Sequence, residues 1–292
     1  MEKSKEYREI SLEGAVKIGE GAHGEVYRLD EETIAKIYRE PETLESIREE
    51  KELSKWAFVK GVPTAISYDI VKADGRYGVV FELLNAISAS DYVNESEENF
   101  EDFVIKSVEL MKQIHSIEVI PGELPDMKAQ TLDWVEKCRK YMPDDICDWL
   151  KRLTGELPDS HTFLHADFHL KNIMVVKDEL MLIDMGTLCA GDPIFEMATI
   201  YNSYKEFPSM TPKAAEFLGL DVDTASRLWD RILELYMGDA DETEKMETER
   251  RAQIFGCVRI IDYFDRHKDH PDWQLGIDTC VWGITKQYTT FH

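Results

Sequence analysis

The sequence predicts an α+β fold of two lobes, in which a small antiparallel sheet with one helix precedes a mostly helical region. Short apolar runs of strand length alternate with glycine-containing or acidic turns through residues 14–84. From residue 85 onwards, apolar residues recur mainly at helical spacing. These two patterns place the N-terminal lobe over residues 1–84 and the C-terminal lobe over residues 85–292.

Composition limits the partners that the chain can have. Of its 292 residues 43% are hydrophobic, which is ordinary for a folded protein. It carries 34 basic and 58 acidic residues, and the net charge is therefore -24. Because such a surface repels phosphate backbones and anionic lipids, we expect neither nucleic acid nor a membrane as a partner.

Two features predict a cytoplasmic protein. Residues 1–6 lack the apolar core of a signal peptide, and no apolar run approaches the roughly 20 residues that span a bilayer. The cysteines are dispersed without Cys-x-x-Cys spacing, as expected for reduced and buried thiols rather than for disulfides or a zinc site. They are Cys138, Cys147, Cys189, Cys257 and Cys280.

The N-terminal lobe contains a glycine-rich turn formed by Gly19, Gly21 and Gly24. A lone Gly-x-Gly-x-x-Gly pattern also marks dinucleotide-binding turns, but those lead into a helix, whereas an alternating strand follows here. Glu25 and Val26 stand where a P-loop would have Lys and Ser or Thr. We therefore expect a hairpin whose glycine loop lets bare backbone lie over nucleotide phosphates.

Lys36 lies on the next predicted strand, from which it would reach those phosphates. Residues 41–60 form a predicted helix, and a carboxylate on its buried face would hold Lys36 in place. Glu49 is the predicted partner because it shares a helix face with apolar residues one and two turns later. Glu50 and Glu52 are the alternatives, and Glu50 also fits a solvated acidic face.

Two further strands are predicted at residues 66–71 and 77–84, joined by a polar turn. The second strand ends where the helical region begins. We expect an adenine base at this junction, held by backbone groups near Glu82 and Leu84.

The most informative segment runs from His165 to Gly186. Asp167 and Asn172 have the order Asp-x-x-x-x-Asn, and Asp184 follows twelve residues later in an apolar-Asp-x-Gly turn. The strands predicted between them fold back as a hairpin, which would bring Asn172 and Asp184 close together. Phosphoryl transfer needs a carboxylate to orient the hydroxyl and oxygen ligands to hold Mg2+, and these three residues supply both.

Helical spacing predicts helices at residues 100–115, 129–141 and 144–154. His115 lies on the apolar face of the first, where a satisfied core histidine is the favoured interpretation. Another helix is predicted to start near residue 191, and residues 203–219 form the most irregular connection.

With these residues in place, nearly the whole chain resembles the aminoglycoside phosphotransferase and choline kinase family, which has the protein-kinase-like fold. His165-Ala166-Asp167 stands where that family commonly has His-Gly-Asp, and residues 183–186 match its Ile-Asp-x-Gly. Gly191-Asp192-Pro193 matches its Gly-Asp-Pro. Two departures are Leu170-Lys171 in place of Pro-Gly and Glu196 in place of an aspartate.

The resemblance implies a role for each of these residues. Asp167 would be the catalytic base, and Asn172 and Asp184 would bind Mg2+. Lys36 would contact the nucleotide phosphates, and Glu49 would position Lys36. The implied activity is transfer of the γ-phosphate of ATP to a hydroxyl of a small molecule such as an aminoglycoside, an amino alcohol or a sugar-like compound.

Two alternatives stay open. The glycine loop is closer to that of a protein kinase than is usual for small-molecule phosphotransferases. However, only four residues separate Gly186 from Gly191 and no Ala-Pro-Glu follows, so the segment with which protein kinases bind peptides is missing. A nucleotide-binding pseudokinase would bind ATP without transfer, although all the residues needed for transfer are present.

The resemblance also implies an acceptor pocket between the catalytic loop and the C-terminal helices. Asp262 and Asp265 share a helix face there and are the candidate acceptor residues, with His292 less favoured. Ion pairs with Arg259 and Arg266 are at least as well supported for these two carboxylates. The net charge favours an acceptor that carries an amine, because an acidic cleft concentrates cations.

Overall fold

The apolar runs of the N-terminal lobe form a six-stranded sheet in the computed structural model, which describes residues 7–21 and 23–291. The strands along the chain are β1 (Arg8–Glu9), β2 (Val16–Glu20), β3 (Gly24–Arg28), β4 (Thr33–Tyr38), β5 (Ser67–Ala73), β6 (Arg76–Glu82), β7 (Ile87–Ser88), β8 (Phe163–Leu164), β9 (Ile173–Val176), β10 (Glu179–Leu182) and β11 (Cys189–Ala190). The large sheet has the order β1-β5-β6-β4-β3-β2. Its pairs are antiparallel, except that β1 runs parallel to β5.

The helices follow the predicted pattern, one among the first strands and the others after them. They are α1 (Leu44–Val59), α2 (Ala89–Glu95), α3 (Glu97–His115), α4 (Met127–Cys138), α5 (Asp144–Gly155), α6 (Ile194–Tyr201), α7 (Phe207–Met210), α8 (Pro212–Phe217), α9 (Val222–Met237), α10 (Glu242–Arg266) and α11 (Trp273–Phe291). The predicted α+β fold, with the antiparallel sheet first, is confirmed. Residues 203–219, predicted as irregular, contain the end of a π-helical turn and two short helices.

Helix α1 begins three residues later than predicted because Thr43 caps it. The Thr43 Oγ1 accepts the Ser46 N–H at 3.1 Å, and the Ser46 Oγ accepts the Thr43 N–H at the same distance. This reciprocal pair satisfies backbone donors that the first helical turn leaves free. Pro41 therefore precedes the helix instead of lying in its first turn.

The chain divides into two units, which we call the sheet unit and the helical unit. The sheet unit comprises the residues up to 87 together with residues 173–187, and the helical unit comprises residues 88–172 together with those from 188 onwards. The hairpin of β9 and β10 therefore belongs to the sheet unit, although it follows the catalytic loop in sequence. The predicted functional boundary after residue 84 stays a prediction.

Each unit has its own apolar interior. In the sheet unit, Ala35, Ile37 and Ala73 form one buried cluster and Tyr38, Ile47 and Val79 another. The core of the helical unit includes fully buried side chains of Phe103, Met111 and Trp229. All five cysteines are free and buried. Within the described chain, no helix is both long enough and apolar enough to cross a membrane.

Candidate active site

The glycine-rich turn closes a hairpin between β2 and β3. The Gly21 N–H donates to the Gly24 carbonyl at 2.9 Å. A side chain at Gly24 would place its Cβ 2.6 Å from the carbonyl oxygen of Ile37, so the close approach of β3 to β4 requires glycine there. A Cβ at Gly21 would meet no atom of the described residues within 4 Å, so there is open space beside Gly21. Ala22 lies outside the described residues.

Lys36 on β4 joins two carboxylates of the sheet unit. Its Nζ lies 2.8 Å from Glu50 Oε1 and 3.2 Å from Asp184 Oδ1. The ring of Tyr38 lies below the same ammonium, with its centroid 5.0 Å away. Burial disfavours the charged ammonium, but Asp184 and Glu50 outweigh that effect, so the pKa of Lys36 is raised. Lys36 is therefore a fixed positive charge.

The partner of Lys36 on α1 is Glu50, and the predicted partner, Glu49, is exposed. The buried face of α1 is set by Ile47, Ser54 and Ala57. Glu50 lies three residues after the first and four before the second, so it shares their face, whereas Glu49 is rotated by about 100° away from Glu50. The expectation of a Lys36–Glu49 pair is thus corrected in favour of the neighbouring residue.

Asp184 is placed by the β9–β10 hairpin. The Leu182 N–H at the end of β10 donates to the Pro63 carbonyl at 2.8 Å, which ties the hairpin to the rest of the sheet unit. Asp184 then adopts a left-handed backbone conformation with φ 64°, and its side chain is 40% exposed. One carboxylate oxygen faces Lys36, and Gly186 lies beside Glu50. The turn therefore gathers Lys36, Glu50 and Asp184 in one unit.

Glu82 and Leu84, the two candidate base-binding residues, differ in whether their backbone groups already form hydrogen bonds. The Glu82 N–H donates to the Ile66 carbonyl at 2.9 Å, and the Glu82 carboxylate accepts the Ile66 N–H at 3.3 Å. Leu84 is half-buried, and neither of its backbone polar groups has a protein partner in the part of the chain described. Of the two, Leu84 is the residue with free backbone groups.

In the helical unit, Asp167 lies in a network of donors. The Asn172 Nδ2 donates to Asp167 Oδ2 at 2.7 Å and to the Asp167 carbonyl at 3.0 Å. His169 Nε2 lies 3.4 Å from the same Oδ2, and Arg259 Nη2 lies 4.0 Å from Oδ1. Burial would raise the pKa of Asp167, but the hydrogen bond and charge of His169 and the charges of Arg259 and His165 hold it well below its usual range. Asp167 is therefore a carboxylate at neutral pH.

The backbone before Asp167 is held by Glu196 of α6. The Glu196 carboxylate accepts the His165 N–H at 2.7 Å and the Ala166 N–H at 2.9 Å. Ala166 has φ 60°, a left-handed conformation that is strained for alanine. Arg259 donates to the Ala166 carbonyl. The strained turn is therefore fixed through both its N–H and its C=O groups.

Glu196 is fully buried and still ionised. Burial alone would raise its pKa, but the adjacent His115 imidazole, the charge of His165 and the Ala166 N–H lower it. His115 Nε2 lies 3.8 Å from Glu196 Oε2, and its Nδ1 is 2.8 Å from the hydroxyl of Tyr236. His115 therefore supports the loop through Glu196 and has a hydroxyl partner of its own.

The structure does not offer Asp262 and Asp265 as free acceptor-binding groups. Asp262 is 1% exposed and pairs with Lys137 at 3.1 Å and Arg266 at 2.9 Å. Asp265 pairs with Lys140 and accepts a hydrogen bond from the Tyr141 hydroxyl, both at 2.6 Å. Arg259, predicted as one of their partners, is directed to the catalytic loop instead. His292 lies outside the described residues.

Sequence reasoning missed Arg259 as a residue of the catalytic loop's surroundings. It lies 93 residues beyond Ala166 on a helix with no local signature. Glu196 was visible only as a departure from a family pattern, without a role. Both contacts depend on helix packing, which residue spacing within one segment does not determine.

Each unit thus contains a chemically distinct group. The sheet unit has a glycine hairpin and a lysine fixed between carboxylates, which suit a polyphosphate. The helical unit has a carboxylate with one oxygen held by Asn172, which suits a hydroxyl nucleophile. A model described as the phosphotransferase enzyme family matches residues 14–235.

The chain belongs to the phosphotransferase enzyme family. This membership confirms the resemblance that the sequence motifs predicted, and it makes the protein a phosphotransferase of the kinase type. No curated protein matches the chain in sequence.

Solved structures of the same fold agree with this family. An ADP-bound aminoglycoside phosphotransferase, APH(2'')-Ib, is 16% identical with a TM-score of 0.62, over 95% of this chain and 94% of that one. A choline/ethanolamine kinase family protein from Mesorhizobium loti is 12% identical with a TM-score of 0.60, over 94% and 87%. An aminoglycoside phosphotransferase from Streptomyces rimosus in complex with ADP and streptomycin is 13% identical with a TM-score of 0.54, over 92% and 93%. At these identities the likeness shows the fold.

Proposed function

We propose that this family member is an ATP- and Mg2+-dependent kinase of a small molecule, with a hydroxyl group as the acceptor. The observation that carries the proposal is the state of Asp167. Its Oδ2 is held by Asn172 at 2.7 Å, its pKa is low, and its Oδ1 has no hydrogen-bond donor among the described residues. That oxygen is available to accept the proton of a hydroxyl.

The transfer step uses this oxygen. The acceptor hydroxyl oxygen forms a bond to the γ-phosphorus of ATP, the bond from that phosphorus to the bridging oxygen breaks, and ADP leaves. The hydroxyl proton passes to Asp167. Lys36 binds the phosphate oxygens, and Glu50 fixes Lys36, while the glycine hairpin lies over the phosphates. Backbone groups near Leu84, with Glu82 as the neighbouring candidate, bind the base.

Asn172 and Asp184 are the proposed Mg2+ ligands. Because the Nδ2 of Asn172 donates to Asp167, its side-chain oxygen remains available, and the second carboxylate oxygen of Asp184 has no hydrogen bond to the described protein. No cluster of three His, Cys, Asp or Glu side chains forms a ready metal site in the described ranges. This fits Mg2+, which one or two side chains hold together with substrate phosphates. When bound, the metal neutralises charge on those phosphates.

A small-molecule acceptor is preferred over a protein because of the segment after Gly186. Residues 187 and 188 lead directly into β11, whose Cys189 pairs with Leu164 of β8. The segment therefore has no room for the long loop with which protein kinases bind peptides. We also infer a cytoplasmic location, since five buried free thiols fit a reducing compartment.

The test measures ADP release by the purified protein with ATP and Mg2+ across amino sugars, amino alcohols, hydroxy acids and neutral sugars. GTP in place of ATP tests the choice of nucleotide. We expect turnover with at least one acceptor class, and we expect Asp167→Asn to lower kcat by about 10^2 to 10^4 while ATP affinity is nearly unchanged.

The matched control is Asp178→Asn, in an exposed turn between β9 and β10, which should leave kcat unchanged. An Asp167→Asn enzyme that kept more than about a tenth of kcat would identify a different base. Tight ATP binding without transfer to any acceptor, and without slow ATP hydrolysis, would favour a nucleotide-binding pseudokinase instead.

A further inference from the structure

Arg259 has unused hydrogen-bonding capacity beside the proposed base. It projects from α10 to the catalytic loop, where its Nη1 donates to the Ala166 carbonyl. Its Nη2 lies 4.0 Å from Asp167 Oδ1, which is beyond hydrogen-bond distance, and the side chain is 26% exposed. A guanidinium has five N–H donors, and the others on Arg259 have no hydrogen-bond partner within residues 7–21 and 23–291.

The two oxygens of Asp167 are occupied differently. Asn172 and His169 approach Oδ2, at 2.7 Å and 3.4 Å. Oδ1 receives no hydrogen bond from the described protein, so it is the oxygen on which the acceptor hydroxyl would lie. Arg259 faces that same oxygen. A small molecule whose hydroxyl binds Oδ1 therefore has the free donors of Arg259 within reach.

The charges nearby do not favour an amine. Asp262 and Asp265, on which a cationic acceptor depended, are neutralised by Lys137 and Lys140 together with groups close to them in the chain. Asp167 is the one carboxylate within ion-pair distance of Arg259 in the part of the chain that the structure describes. An acceptor amine placed here would meet a guanidinium, whereas an anionic group would find charge-assisted hydrogen bonds.

We propose that Arg259 determines acceptor specificity by binding an anionic oxygen group, a carboxylate or a phosphate, that the acceptor carries close to its reacting hydroxyl. This inference rests on the proposed function and names the substrate class of the same site. Arginine suits the role because its planar fork pairs with carboxylate and phosphate oxygens in two parallel bonds. Arg259 also positions the Ala166 turn, so the test must separate binding from positioning.

The experiment compares acceptors that differ in one group. Glycolate, ethanolamine and ethylene glycol form one set, and glucuronate, glucosamine and glucose form a second. A third comparison, of glycerol phosphate with glycerol, tests whether the anionic group of the acceptor is a phosphate or a carboxylate. ADP release with the wild-type protein, ATP and Mg2+ gives kcat and KM for each acceptor. We expect the anionic member to have the highest kcat/KM within its set.

Arg259→Gln should raise the KM of the anionic acceptor roughly 30-fold or more, since one partner of a hydrogen-bonded charge pair is lost. The KM for ATP should stay unchanged. Arg259→Lys keeps the charge and should recover part of the loss. The matched control is Arg266→Gln on the same helix, because Arg266 pairs with Asp262. It should leave acceptor preference unaltered.

The outcomes separate the two proposals. If the enzyme prefers an amine or a neutral acceptor and Arg259→Gln leaves acceptor KM unchanged, the inference is overturned and the kinase assignment stands. If Arg259→Gln lowers kcat alone, its role is positioning and the specificity role is also overturned. If no acceptor supports ADP release, calorimetry with Mg2+ and ADP decides. The inference is supported if the wild-type protein binds glucuronate or glycerol phosphate and Arg259→Gln abolishes that binding. It is overturned if the wild-type protein binds the anionic acceptors no better than the other members of each set.

Discussion

The Nζ of Lys36 lies 2.8 Å from Oε1 of Glu50, and both side chains are about 85% removed from solvent, at 15% and 14% exposure. Such a pair differs from a surface ion pair, because each charge would be left with little water if the other were removed. Asp184 adds a second carboxylate at 3.2 Å from the same ammonium. The lysine is thereby held in place before any phosphate binds.

The first prediction is that Lys36 and Glu50 act as one unit. Lys36→Met and Glu50→Gln should each lower kcat/KM for ATP, and the double variant should cost less than the sum, with a coupling of about 0.5–3 kcal/mol. Steady-state kinetics of the four proteins measures this. Glu49→Gln is the matched control. Because Glu49 is exposed, this substitution should change the free energy of unfolding by about 0.5 kcal/mol or less. If Glu49→Gln lowered kcat/KM for ATP as much as Glu50→Gln does, the partner of Lys36 would be Glu49, as predicted from the sequence.

The second prediction concerns Asp184. Asp184→Asn keeps the left-handed backbone, which asparagine tolerates, but removes the charge that would hold Mg2+. Nucleotide affinity should fall much more with Mg2+ than without it, as calorimetry under the two conditions would show. Asp178→Asn, at φ 65° in the same hairpin, is the control and should bind normally. Equal ATP affinity of Asp184→Asn and wild type at saturating Mg2+ would remove Asp184 from the site.

Most of what could be predicted came from residue patterns within single segments of the sequence. The α+β fold followed from strand and helix periodicity, and spacing within one segment selected Asp167, Asn172 and Asp184, whose roles stay predictions. Apolar residues one and two turns later predict Glu49 as the partner of Lys36, whereas the buried face of α1 is set by Ile47, Ser54 and Ala57 and selects Glu50, one residue and about 100° away. The pairing of Asp262 with Lys137 joins residues 125 apart, which no local pattern reveals.

The third prediction is that Asp262 stabilises the fold and does not bind the acceptor. Asp262→Asn should lower the free energy of unfolding by about 1–3 kcal/mol, less than for a fully buried pair, because Lys137 and Arg266 both keep contact with water. The KM for the acceptor should not change. Asp133→Asn is the matched control, because Asp133 also pairs with Lys137, at 2.8 Å, but its side chain is 67% exposed. Thermal unfolding together with kinetics distinguishes the two roles, and a raised acceptor KM in Asp262→Asn with unchanged stability would contradict this assignment.

Two buried glutamates, Glu196 in α6 and Glu206 at the end of the π-helical turn that follows it, have pKa values displaced in opposite directions. Glu196 accepts two backbone N–H groups, and despite burial its pKa lies below 4.5. Glu206 is 5% exposed, and burial raises its pKa above 4.5. Its acceptor bonds are weaker, 3.3 Å from Gln253 and 3.9 Å from the thiol of Cys257. The ionised form is therefore stabilised by folding at Glu196 and disfavoured by folding at Glu206.

The last prediction follows from the sign of these shifts. The contribution of Glu196 to stability is present above the unfolded pKa near 4.5 and is lost as pH falls through the lower folded value. Ionised Glu206 costs stability, and this cost grows as pH rises from 4.5 towards the higher folded pKa. Glu196→Gln should thus lower Tm near pH 7, since an amide cannot accept both loop N–H groups, while Glu206→Gln should raise it. Both differences from wild type should shrink towards pH 4, which Tm measured between about pH 4 and 8 would test. A Glu206→Gln protein less stable than wild type at pH 7 would show that the carboxylate, once ionised, is better satisfied than its contacts indicate.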